Sequence, residues 1–67
     1  MSDLLGGAEP PISLDDMRRC ARRELAYRNR VYPRWVSEGK MKAGMAEREL
    51  AVMGAIVDTL DKMEKLP

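Results

Sequence analysis

"RVYPRWVSEGKM", residues 30–41, holds the only tryptophan of the chain, one of its two tyrosines and, between Tyr32 and Arg34, a proline. How this stretch folds decides the architecture. Leu14, Met17, Ala21, Leu25, Tyr32, Trp35 and Val36 recur at helical spacing, with Arg28 the one charged member of the stripe. That register runs straight through Pro33. A proline in a helix interior removes an amide donor, crowds the carbonyl four residues earlier (here Asn29) and disfavours helical geometry for Tyr32. Either one helix kinks at Pro33, or a long helix ends near Val31 and a short one begins at Pro33. The unbroken phase of the stripe favours the kink, which would fold Trp35 and Val36 over the start of the next helix near Met41, Met45 and Ala46.

Outward from this block, the boundaries follow from local chemistry. Ser13 is an expected N-cap, because its hydroxyl can accept a free amide of the first turn, and Asp15 and Asp16 suit the positive end of the helix dipole. Gly39 is the expected stop, since it takes the left-handed conformation at no steric cost. A second helix is expected from Ala43 to Lys65, with Ala46, Leu50, Met53, Val57 and Leu60 on one face and Met45, Val52, Ile56 and Met63 beside it. At about 100° per residue these span roughly 160°, more than the ≳ 100° stripe of a one-sided helix, so one partner helix does not cover them. The expected fold is all-α: an antiparallel two-helix hairpin over residues 13–66, with helices at about 14–38 and 43–65, behind a flexible tail at 1–12 whose candidate anchors are Leu4 and Leu5. The surplus apolar surface predicts a homodimer closing into a four-helix arrangement, with Met45, Leu50, Val52, Met53, Ile56, Val57, Leu60 and Met63 at its interface.

Size points the same way. With 67 residues and no phenylalanine, the core must come from aliphatic side chains and methionine, and a chain this short usually needs a staple or a partner subunit. Cys20 is alone and there is no histidine, so an internal disulfide and a structural zinc site both lack their ligands, and no cofactor is expected. No run approaches the roughly 18 apolar residues of a membrane span, and the N-terminus lacks a signal-peptide pattern, which reads as cytoplasmic.

Catalytic chemistry is sparse. The commonest general base at neutral pH is missing. Cys20 has only arginines around it, so it reads as a partly buried filler rather than a nucleophile. "LLGG" lacks the strand and the lysine of a phosphate loop. Asp58, Asp61 and Glu64 read as a solvated acidic face. No enzymatic activity is expected.

The arginines are the stronger signal. Between Met17 and Lys42 nine basic side chains stand against two acidic ones, although the whole chain carries a net charge of +1. Arg18, Arg19, Arg22 and Arg23 form a ridge continued by Arg30 and Arg34, which suits a protein partner, nucleic-acid phosphates or solvent alone. Arginine forks match carboxylates, and seven arginines before any lysine favour specific contacts with protein, leaving nucleic acid as the alternative. Arg28 is expected either to pack its methylenes, paired locally with Glu24, or to bridge a dimer to Glu47 or Glu49. Tyr32 and Trp35 are read as core or as an interface anchor. The methionines are read as plain core, or as an adaptable surface.

Two segments, "RELAYRNRVYPRWVSEGKM" and "AERELAVMGAIVDTL", together resemble a family of very small proteins of tailed bacteriophages and prophages, in which an arginine-rich helix leads into a YPRWV block, then Gly-Lys-Met and a second helix. The chain is also similar to early proteins of Pseudomonas phages that bind host proteins, including a quorum-sensing anti-activator that blocks a LuxR-type transcription factor and a pilus assembly ATPase. The resemblance implies a dimeric, non-enzymatic inhibitor working in the host cytoplasm. In that setting Arg18, Arg19, Arg22, Arg23, Arg28, Arg30, Tyr32, Arg34 and Trp35 are the expected partner-binding residues. One departure stands out: family members tend to cap the second helix with threonine, whereas this chain has Lys42, which cannot cap.

Overall fold

A computed structural model describes residues 11–66 of the protein. Two helices make up its regular structure, α1 (Leu14–Ser37) and α2 (Ala43–Glu64), packed side by side as a hairpin. The expected anchoring of the tail by Leu4 and Leu5 lies outside the described residues.

The start of α1 is fixed by a reciprocal pair of hydrogen bonds. The amide of Asp16 donates to the Ser13 hydroxyl at 3.0 Å, and the amide of Ser13 donates to the Asp16 carboxylate at 3.1 Å. This capping box satisfies two of the amides that a helix start leaves free. It also holds the Asp16 carboxyl below its ordinary pKa, first through the Ser13 backbone amide and then through its hydroxyl.

α1 continues through Pro33 as one helix, so the alternative of two helices divided at that residue does not occur. Geometry explains why the interruption is tolerated. Pro33 and Asn29 are both exposed, so the carbonyl that loses its donor faces water rather than a dry interior.

The other end of α1 is closed by a Schellman motif. The amide of Gly39 donates to the carbonyl of Val36 at 3.1 Å, and that of Lys40 to Trp35 at 2.8 Å. The motif requires a left-handed residue after the cap, and Gly39 supplies it at φ = +77°. α2 begins less well. Lys42 occupies its N-cap with no side-chain hydrogen bond, and its first turn holds no acidic residue.

The inward faces follow alternating steps of four and three residues. On α1 these are Leu14, Arg18, Ala21, Leu25, Arg28, Tyr32 and Trp35; on α2 they are Ala46, Leu50, Met53, Val57 and Leu60, and every one is buried or half-buried. This is the spacing of a helix pair whose seam stays in phase along its length. Among the described residues the buried apolar side chains are Ala21, Val31, Ala46 and Met53. Two differences from the sequence expectation concern the same flank of α1. Met17 is 43% exposed, whereas Val31, outside the expected stripe, is 3% exposed. The flank is covered near the turn and bare near the chain ends. Cys20, on the same flank, is exposed rather than partly buried.

Candidate interaction surfaces

The seven arginines of α1 divide by the side of the helix they occupy. Arg18 points inward: its Nε donates to Asp61 at 3.0 Å, and its Nη1 reaches Asp15 and Glu64, both at 3.2 Å. Arg22 donates to the second oxygen of Asp61 at 2.6 Å. Asp61 therefore bridges two guanidiniums, and its carboxyl is held below its ordinary pKa by the Arg22 hydrogen bond above all; burial opposes this, and the Arg18 hydrogen bond adds to the lowering. Only 24% of that side chain is exposed, so the expected solvated acidic face is here an ionic clasp joining the helices. Glu64 takes part; Asp58 instead pairs with Lys62 at 3.4 Å.

Arg28 makes its expected local pair with Glu24, and it reaches Glu49 within its own chain instead of across a dimer. Its Nε donates to Glu24 at 2.8 Å and its Nη1 to Glu49 of α2 at 3.5 Å. Donation to Glu24 holds its pKa above the ordinary arginine value. Its guanidinium stands 6.0 Å from the centre of the Tyr32 ring, which packs against Trp35 with ring centres 5.6 Å apart. Both aromatics are half-buried, so this cluster braces the turn end and keeps a solvent-facing edge.

The remaining arginines face outward. Arg19 pairs with Asp15 at 2.9 Å yet is 75% exposed. Arg23, Arg30 and Arg34 are exposed and have no carboxylate partner among the described residues. With Tyr27 they sit at positions i, i+4, i+7 and i+11, one strip about 16 Å long at 1.5 Å per residue. The Arg30 guanidinium lies 5.5 Å from the Tyr27 ring centre, and Tyr27 is 41% exposed. Sequence reasoning passed over Tyr27, although that spacing was the signal for it.

A second surface lies on α2. The eight residues expected at a dimer interface fall into two groups. Leu50, Met53, Val57 and Leu60 turn towards α1, while Met45, Val52, Ile56 and Met63 are exposed. A shallow groove lined by Arg48, Ala51, Val52, Ala55, Ile56, Thr59 and Leu60 lies at the middle of the exposed group.

No family model, curated protein or solved structure matches the chain. No helix among the described residues is long and apolar enough to cross a membrane.

Proposed function

We propose that this chain is a non-enzymatic protein-interaction module, a self-associating helical hairpin that grips an acidic surface of a partner protein through the outer face of α1. One observation carries this reading. Four of the seven arginines on α1 are matched to carboxylates, and the three that are not, Arg23, Arg30 and Arg34, share one exposed strip with Tyr27. Guanidiniums held on a helix present several donors in fixed directions, the arrangement that recognises carboxylates. Tyrosine and arginine together are also the residue types on which interfaces concentrate binding energy.

In this reading Pro33 bends the last turn of α1, and the Tyr32–Trp35 edge joins the contact. Self-association uses the exposed face of α2. Binding inhibits the target by covering a working surface, and the resemblance to phage early proteins makes a bacterial regulator of the LuxR type, or a pilus assembly ATPase, the first target to try.

The test is capture from bacterial lysate with the wild-type chain and with Arg23, Arg30 and Arg34 changed together to Glu. The wild type recovers a defined protein and the variant does not, while its far-ultraviolet circular dichroism is unchanged. Equal capture by both refutes the assignment of the strip. Salt-dependent retention of duplex DNA in a gel shift would turn the same strip towards phosphates.

A further inference from the structure

On the outer side of α1, Arg23, Ala26, Tyr27 and Arg30 are all exposed and stand at positions i, i+3, i+4 and i+7. Residues so spaced enclose a diamond on a helix surface, the hole into which a facing helix inserts one side chain. Arg23 and Arg30 close its two ends along the axis, and Ala26 and Tyr27 its two sides. We infer that this diamond seats an apolar side chain of an acidic partner helix, whose carboxylates, one turn to either side of that side chain, engage Arg23 and Arg30. The inference rests on the acidic protein partner of the proposed function and adds the form of the segment that the partner presents.

The chemistry of the diamond matches such a segment. Neither Arg23 nor Arg30 has a carboxylate partner among the described residues, and Arg34 extends the free charge by one further turn. The Arg30 guanidinium lies 5.5 Å from the centre of the Tyr27 ring, which holds it beside the hole before any partner arrives. The Ala26 methyl keeps one side low, so a facing backbone can approach closely. Together with the Tyr27 ring, 41% exposed, it gives the entering side chain an apolar surface.

Spacing along the axis distinguishes a helix from other acidic segments. Arg23 and Arg30 are about 10.5 Å apart at 1.5 Å per residue. A strand repeats its facing side chains about every 6.6 Å, so neither one step nor two brings carboxylates to both ends of the diamond. A helix lying along α1 has the same rise, and reaches each end from three or four residues before and after its central side chain. Nucleic acid meets the charges alone, since a phosphate backbone has no side chain to enter the hole.

The experiment offers the full chain two fluorescent peptides of equal charge and reads their anisotropy. One is an alanine-rich helix with a single leucine and glutamates four and seven residues to either side of it. The other keeps the leucine and glutamates but sets prolines between them, which exclude a helix. The wild type is expected to bind the helical peptide about tenfold more tightly, the effect of one good buried contact. Ala26→Leu fills the diamond and keeps helix propensity; it is expected to remove that preference and leave binding of the proline peptide as it was. Arg23→Glu combined with Arg30→Glu is expected to lose both peptides, with circular dichroism unchanged. Equal affinity of the wild type for the two peptides, or a preference that survives Ala26→Leu, overturns the seat for a helix while leaving the acidic partner intact. A wild-type dimer that Ala26→Leu turns into a monomer gives the diamond to a second copy and also overturns the inference. Binding of neither peptide, whether or not a DNA duplex is retained, removes the proposed function along with it.

Discussion

Arg18 and Asp61 stand 43 residues apart in the chain and meet at 3.0 Å where the two helix ends come together. Asp61 also holds Arg22, and Arg18 also holds Asp15 and Glu64. One carboxylate shared by two guanidiniums costs less side-chain entropy per contact than separate pairs, because each group is already ordered by the other.

The clasp gives the protein an acid limit. Asp16 and Asp61 both have folded pKa values below the ordinary aspartate value, which is about 3.9 in an unfolded chain. Between those two values the unfolded state binds the proton first, so the stabilisation is complete above about pH 4 and is lost as pH falls through the folded values. Thermal unfolding followed from about pH 6 downward should show a falling midpoint in that window. Asp61→Asn should flatten the fall and lower the midpoint at neutral pH, whereas Asp58→Asn should stay within the roughly 0.5 kcal/mol of an ordinary surface change.

Gly39→Ala should destabilise the hairpin by about 1 kcal/mol, the cost of holding a side-chain-bearing residue in the left-handed region. A Cβ at Gly39 meets nothing within 4 Å, so the whole cost is conformational. Urea midpoints of wild type and variant measure it. No loss would mean that the turn relaxes to another geometry.

Lys42→Asp should raise stability by about 1 kcal/mol. The new carboxylate would accept an amide of the first turn of α2 and complement the helix dipole. Increased helicity at 222 nm and a higher thermal midpoint are the expected readouts.

Met53→Ala should cost about 2–3 kcal/mol, within the span of methionine truncations in cores, since Met53 is only 7% exposed. Met63→Ala, at 48% exposure, should leave the hairpin itself unchanged and weaken only self-association. Concentration-dependent unfolding separates the two effects.

Much of the fold was legible because it is written locally. Ser13 and Gly39 announce caps through their own chemistry, and Lys42 announces a missing one. The division of the arginines was not legible, because it depends on the register between helices: nothing near Arg22 in the chain says that Asp61 will stand beside it. The same limit explains the dimer set, whose Leu50, Met53, Val57 and Leu60 are half-buried or buried by the helix the chain itself provides. Met17 and Val31 lie on one flank and differ only in their distance from the turn, which periodicity does not record.

The two extremities of the hairpin are secured by unlike forces. Covalent continuity, backbone hydrogen bonds and tilted ring packing dominate the Gly39 end, with the Arg28–Glu49 and Lys40–Glu38 ion pairs beside them. Charged groups hold the other, where screening sets in within about 10 Å at 0.1 M salt. The molecule is thus a pair of tongs whose jaws depend on salt more than its pivot does. Amides near Arg18 and Asp61 should exchange with deuterium faster in concentrated salt, while those flanking Gly39 keep their rate.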